Sequence, residues 1–287
     1  MIDHDLPPSL LSYLENEGRG ALKTCDGVPG GTINQTRRIE TTGGFKGIAK
    51  FAADIPADFY AIEAQGLAEL RGTGFRVPDV IATSADFILL EDLGTHPPEE
   101  VDWRAFGRAV ARLHQWHDPL FGFAHDNYIG RLRQTNSRTA NGHEFFAQHR
   151  IHAYLSLPLC ELATTEDDRR NIGKFASKLA DFIPSQPASL LHGDLWSGNI
   201  IPLGDGQAGL IDPAVYFGWA EADLTASWLY PGVPADFFDA YNEVNPLEPG
   251  YMERFPLLAV REWLAILAQF GPNPVVNNIR SVIAPYV

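Results

Sequence analysis

The chain has 287 residues, with 36 Asp and Glu against 22 Lys and Arg, a formal net charge of −14. That balance argues against DNA or RNA as a partner, because Lys and Arg supply nucleic-acid affinity by neutralising phosphates, and it favours a cationic substrate. A hydrophobic fraction of 45% spread along the length fits a globular chain, long enough for two packed lobes sharing a cleft.

In chain order, residues 21–90 alternate short β-prone runs with turn residues, which predicts a small sheet lobe. Its strands are expected around Arg37–Thr41, Phe45–Phe51, Val80–Thr83 and Phe87–Leu90, with Gly43-Gly44 as a hairpin turn. Between them Phe59, Ile62, Leu67 and Leu70 recur at helical spacing over Pro56–Arg71, and Gly72 is a stop. The pattern changes after Gly94. Trp103, Phe106, Val110, Leu113 and Trp116 form the apolar stripe of an amphipathic helix, and further helices are expected at Glu144–Leu155, Glu166–Phe182, Ala235–Asn242 and Tyr251–Phe270. Ser189–Leu191 and Gly209–Ile211 read as short strands flanking a loop. The expected architecture is therefore α+β and bilobal. Residues 1–93 form a small antiparallel-sheet lobe with one helix, and residues 94–287 a larger, mainly helical lobe.

Cys25 and Cys160 stand far apart in no C-x-x-C arrangement, so neither a disulfide framework nor a zinc site is expected, and a reduced cytoplasmic setting fits. Asp3, Asp5, Glu15 and Glu17 with no apolar segment argue against a signal peptide. The apolar stretch Phe255–Phe270 is broken by Arg261 and Glu262, so no membrane association is expected.

The chemistry-bearing residues lie mostly in the second lobe. His192-Gly193-Asp194 is followed by four residues and Asn199, the spacing of a phosphoryl-transfer catalytic loop. Asp194 would accept or orient the proton of an attacking hydroxyl, and Asn199 would offer its side-chain oxygen to Mg2+. Beyond it, Gly209-Leu210-Ile211 leads into Asp212, at the position of a second magnesium ligand; hard anionic oxygen suits that cation. Singly, an Asp before Leu or Pro is the ordinary sign of a helix cap or Asx turn. In this order and spacing the residues read as a phosphotransferase that uses ATP and Mg2+.

In the first lobe Lys50 sits among apolar residues in Gly47-Ile48-Ala49-Lys50-Phe51, as a strand lysine that holds ATP phosphates does, with Glu63 on the following helix as its ion-pair partner. An ordinary edge-strand lysine is the alternative for Lys50. Gly30 and Gly31, between two expected strands, are placed to let backbone approach phosphates, although a plain hairpin turn explains them equally well locally. Glu91, Asp92 and Leu93 lie where the lobes join and where backbone groups would hydrogen-bond adenine.

Leu190-Leu-His-Gly-Asp-Leu-Trp-Ser-Gly-Asn199 closely resembles the signature of the fructosamine kinase (ketosamine 3-kinase) family. Phe121-Gly-Phe, Asp126-Asn-Tyr-Ile-Gly130, Ile211-Asp-Pro-Ala214, Glu221-Ala-Asp-Leu224 and Ala240-Tyr-Asn-Glu243 resemble its blocks in order, over almost the whole chain. The resemblance implies a protein-kinase-like, aminoglycoside-phosphotransferase-like fold. It also implies an ATP-dependent kinase acting on a sugar hydroxyl of a ketosamine such as a fructosamine or ribulosamine, free or on a glycated amine or protein, whose 3-phosphate then releases the amine. Carried over, Asp194 is the catalytic base, Asn199 and Asp212 are the metal ligands, Lys50 and Glu63 the phosphate-holding pair, and residues 91–93 the adenine-binding hinge. Asp126, Trp196 and Asp223 fall on the substrate side, with packing as the alternative for Trp196.

Two departures bear on the substrate. Where the family often reads Gly-Asp-Arg-Glu-x-Asp-Leu, this chain has Gly218-Trp219-Ala220-Glu221-Ala222-Asp223-Leu224, a change expected to lie beside the cleft. The late helix, rich in His, Leu and Asn in the family, here reads Arg261-Glu-Trp-Leu-Ala-Ile-Leu-Ala-Gln-Phe270. A cysteine that some members carry in the phosphate loop corresponds to Thr32, so no redox switch is expected there. Other small-molecule kinases of the same fold, acting on aminoglycosides, choline or homoserine-like alcohols, would share the constellation, whereas a silent binding protein would lack Asp194 or Asp212. A protein kinase is disfavoured because no Ala-Pro-Glu or phosphorylatable loop separates Asp212 from Glu221. The pairs His114/His117 and His149/His152 read as ordinary histidines, not metal ligands, since no carboxylate motif completes a site.

Overall fold

The structure, a computed structural model, describes residues 6–28 and 34–287. The chain divides into two compact units, one of residues 1–101 with 200–212, the other of residues 102–199 with 213–287.

In the first unit, a helix α1 (Pro8–Asn16) precedes the strands β1 (Leu22–Gly27), β2 (Gln35–Thr41) and β3 (Lys46–Phe51). The helix α2 (Phe59–Gly72) then leads to β4 (Val80–Thr83) and β5 (Phe87–Leu90). The five strands form one antiparallel sheet in the order β1-β2-β3-β5-β4. The hairpin between β2 and β3 closes on Gly43 and Gly44: the Gly44 amide donates to the Thr41 carbonyl at 3.0 Å, and Gly44 has a φ of +82°, which glycine adopts without strain. A side chain at Gly43 would meet the Arg19 carbonyl. One face of the sheet is sealed by α1, whose Leu10 and Leu14 pack with Ile39, Ala49, Phe51, Phe87 and Leu89. Helix α1 is not among the expected elements; it spans only nine residues, too few to show a long periodic stripe.

Lys50 lies on a central strand, paired across to Thr36 on β2 and Ile88 on β5, so the edge-strand alternative does not hold. The returning segment completes this unit. Ile200–Pro202 pairs with Ala208–Leu210, and the Leu210 amide donates to the Arg76 carbonyl at 2.9 Å, which ties the approach to Asp212 to the first unit.

The second unit is mainly helical. Its core helix Tyr251–Phe270 is buried nearly all round and packs on Ala220–Leu229, Pro158–Ala163 and Val275–Ile283, while α3 (Trp103–Leu113) lies against Ala235–Asn242. At Gly107 the two latter helices approach so closely that a Cβ would strike the Phe237 carbonyl. A three-stranded sheet of His117–Asp118, Ala188–Leu191 and Tyr216–Gly218 and a hairpin of Asn127–Ile129 with Leu132–Gln134 complete it. The helix expected over Glu144–Leu155 is continuous in path but runs as a π-helix over Phe146–His152. That expected over Glu166–Phe182 is an α-helix to Ser177 with a 3₁₀ turn after it. No helix among the described residues is long and apolar enough to cross a membrane.

Candidate active site

In the first unit the site is organised by Lys50. Its ammonium lies 2.6 Å from the Glu63 carboxylate on α2 and 2.6 Å from the Asp212 carboxylate, and the lysine is buried. Burial alone would lower the Lys50 pKa, but the two carboxylates outweigh it and raise the pKa above the usual lysine range, so the ammonium stays charged. Burial, opposed by the Lys50 ammonium, raises the Glu63 pKa. The Asp212 side chain is 40% exposed and therefore reachable, and its backbone sits at φ +57°, a left-handed conformation costly for a residue other than glycine. Such strain persists only where surrounding structure enforces it.

The hinge carboxylates are already committed. Glu91 forms a forked pair with Arg76, at 2.6 and 2.9 Å, and accepts the Asp79 amide. Asp92 takes both the Nε and an Nη of Arg38, at 2.6 and 2.9 Å, and the Gly94 amide. The Arg38 guanidinium and the Gly94 amide overcome partial burial and hold Asp92 below the ordinary carboxylate range, and the Arg76 hydrogen bond does the same for Glu91. Both side chains thus brace the segment. Gly30, Gly31 and Thr32 lie outside the described residues.

In the second unit the loop from His192 to Asn199 follows the strand Ala188–Leu191 and is fixed from beneath by Asp223. This carboxylate, 2% exposed, accepts the His192 amide at 2.7 Å and the Gly193 amide at 2.9 Å, and meets His114 Nε2 at 3.2 Å. Burial would raise the Asp223 pKa, but the hydrogen bonds and the His114 and His192 rings lower it, so it is ionised. A carboxylate only accepts, hence Nε2 of His114 carries a proton, and Nδ1 lies 2.8 Å from the Tyr241 hydroxyl. Gly193 has φ +86°, and any Cβ there would collide with the Ala214 carbonyl, which explains why glycine stands between His192 and Asp194.

From the far side, Arg261 on the late helix donates to the Gly193 carbonyl and to Gln134 Oε1, both at 3.0 Å, while the Ser227 hydroxyl donates to the Leu195 carbonyl at 2.6 Å. Thus braced, the loop presents Asp194, and the Asn199 carboxamide donates to the Asp194 carbonyl at 2.8 Å and its carboxylate at 2.9 Å. With its nitrogen so engaged, the Asn199 oxygen is left for other ligands. Among the described residues no cluster of three or more His, Cys, Asp or Glu is arranged to hold a metal. His114 is spent as an anchor of the loop.

The remaining residues singled out in sequence divide. Trp196 is half-buried with its ring centroid 5.7 Å from that of Tyr230. Asp126 braces the hairpin at residues 127–134, accepting the Asn136 amide at 3.0 Å and Arg133 Nε at 3.2 Å. Trp219 and Ala220, expected beside the cleft, are 2% and 7% exposed: Trp219 stacks on Phe146 at 5.2 Å and meets Phe121 and His143 edge-on. That departure is therefore absorbed by the core. Sequence reading took His114 for an ordinary histidine and missed Gln134, Tyr230 and the Arg261 contact. Only Arg261 left a signal, as a charge inside an otherwise apolar helix.

The fold matches that of a crystal structure described as "putative fructosamine-3-kinase" from Thermobifida fusca, with a TM-score of 0.84, 29% identity and 96% of this chain and 99% of that one covered. It also matches choline kinase LicA from Streptococcus pneumoniae at the level of fold, with a TM-score of 0.63 and 15% identity over 97% and 99% of the two chains. The chain is a protein-kinase-like phosphotransferase that uses ATP. The family model for fructosamine kinase matches residues 12–285. A protein of Enterococcus faecium named "Probable ketoamine kinase" is 34% identical, with 86% of this chain and 89% of that one aligned. The chloroplastic protein-ribulosamine 3-kinase of Oryza sativa subsp. indica is 31% identical, over 97% and 83%. The chain belongs to the fructosamine kinase family.

Proposed function

We propose that the enzyme transfers the terminal phosphoryl group of ATP to a sugar hydroxyl of a ketosamine, a fructosamine or ribulosamine borne by a small amine or a glycated protein, in the cytoplasm, and so initiates removal of the sugar. In this reading Asp194 accepts the proton of the attacking hydroxyl, its carboxylate aimed by the Asn199 carboxamide. Lys50, held by Glu63, carries the phosphates, and the backbone of Glu91, Asp92 and Leu93 meets the adenine, with Gly30 and Gly31 over the phosphates. Asp223 works through the loop as a positioning residue, and Trp196 is the side chain of the loop offered to the acceptor.

Asp212 and Asn199 fit Mg2+: both give hard oxygen, and two such donors leave the phosphates and water to complete a coordination shell. When bound, the ion would neutralise charge developing on the phosphates. Residues 1–93 are in this reading the nucleotide-binding lobe and 94–287 the acceptor-binding lobe. The observation that carries the proposal is the buried, charged Lys50 set 2.6 Å from both Glu63 and Asp212, residues that converge from three separate stretches of sequence. The test is ATP consumption and product mass with fructosyl-, ribulosyl- and erythrulosyl-amines beside aminoglycosides and choline. Phosphorylated ketosamine is the expected product; turnover only of another alcohol would overturn the substrate.

A further inference from the structure

The late-helix departure puts a charge pair where an apolar stripe is expected. Arg261 Nη1 pairs with Glu262, and both residues are buried, at 4% and 5% exposure. Arg261 braces the loop through its Nη groups, although its buried Nε has no partner; burial would lower its pKa, but Glu262 overrides this and keeps it charged. Glu262 is not accounted for. Only its Oε1 is engaged, and among the described residues nothing donates to Oε2. The carboxylate of this largely buried residue thus keeps one oxygen that the described residues leave open to an outside donor.

A second under-used polar group stands beside it. The Tyr230 hydroxyl has no hydrogen-bond partner among the described residues, and burial, then the negative charges of Glu262 and of Asp194, raise its pKa. Tyr230 also faces the half-buried Trp196, whose amide donates to the Asp194 carbonyl at 3.0 Å. Tyr230 thus reaches the loop through Trp196 at Asp194, and Glu262 reaches it through Arg261 at Gly193, so the two under-used polar groups meet the same short stretch of chain.

We infer that Glu262 is a specificity-determining residue, its free Oε2 accepting a hydrogen bond from the ammonium group of the acceptor, with Trp196 and Tyr230 as the flanking aromatic walls. The inference rests on the ketosamine reading and sharpens it: the acceptor must carry its amine protonated. In a ketosamine the nitrogen is three bonds from carbon 3, so an ammonium there must be met by a group close to the base that serves the reacting hydroxyl. Glu262 satisfies that requirement, because the neighbouring Arg261 touches the Gly193 carbonyl next to Asp194. A cation entering such a site loses water and needs a fixed anion and π-faces in exchange. An acceptor with an uncharged nitrogen would leave Glu262 unpaired and be discriminated against.

The test compares kcat/KM for fructosyl-lysine, a secondary ammonium, with that for its N-acylated, uncharged analogue, in the wild type and in Glu262→Gln. The wild type should prefer the cation by roughly 10- to 100-fold, and the variant should lose most of that preference through KM rather than kcat. Should Glu262→Gln not fold, Arg261→Met/Glu262→Gln removes the buried pair as a unit, and the same ratio is read, since any loop disturbance lowers both acceptors together. An unaltered ratio in the folded variant overturns the assignment of Glu262 while leaving the ketosamine reading standing. A wild type that turns over neither compound overturns both.

Discussion

The Asn199 carboxamide donates to the Asp194 carboxylate at 2.9 Å, and the same nitrogen also reaches the Asp194 carbonyl. One side chain thus fixes the rotamer of the proposed base and the turn that carries it. If Asp194 takes the proton of the attacking hydroxyl, Asp194→Ala should reduce kcat by about 10²–10⁴-fold. ATP binding, followed by calorimetry or a fluorescent nucleotide, should persist, because Lys50 and the hinge lie in the other unit. A kcat within a few-fold of wild type would remove Asp194 from the chemistry.

Asp223 makes a different prediction, because its carboxylate is bonded to the loop amides and to His114. Replacing it by Asn keeps the volume but turns a donor-bearing amide towards the His192 and Gly193 amides, which currently share its two oxygens. Each buried donor left unpaired costs about 1–3 kcal/mol. Asp223→Asn should therefore lower both the melting temperature and kcat, with the KM for ATP little altered. His114→Ala, which removes one partner and spares the two loop amides, should show the same pattern more weakly. A variant with wild-type stability and a raised acceptor KM alone would instead return Asp223 to direct substrate contact.

The sequence was most legible where chemistry dictates spacing. His192 to Asn199 forms a single turn of chain, and Lys50 with Glu63 reflects a strand followed by a helix, so linear separation translates directly into proximity. The strands at residues 46–51 and 87–90 and the helix Tyr251–Phe270 were legible for the ordinary reason that their apolar content is dense. Ala220–Leu229 was not, because it buries Glu221, Asp223, Thr225 and Ser227 alongside Leu224 and shows no apolar stripe. Its polar residues face partners such as Arg254, which pairs with Glu221 at 2.7 Å, and no local pattern announces such a partner. Trp219 misled for the converse reason: a departure read as a change of site is a change of core, since its ring is covered by Phe146, Phe121 and His143.

Acid stability should depend on a carboxylate remote from the chemistry. Asp168 closes a capping box at the start of the helix Glu166–Ser177, accepting the Thr165 amide at 2.9 Å, and also receives the Arg280 guanidinium in a fork at 2.7 and 2.8 Å. The Arg280 hydrogen bonds, helped by Thr165 and opposed by burial, hold its carboxyl far below the ordinary carboxylate range. A depressed folded-state pKa means that the unfolded chain binds the proton more readily. The stabilisation is therefore fully present above the usual Asp value of about 3.9 and lost as pH falls below it. Asp168→Asn retains the cap but loses the charge, so it should melt lower than wild type at pH 7 by an amount reflecting about 1–3 kcal/mol. As the pH is taken from about 5 towards 2, the two melting temperatures should converge; a gap that stays constant would show that the carboxylate charge contributes nothing to the tie between this helix and Val275–Ile283.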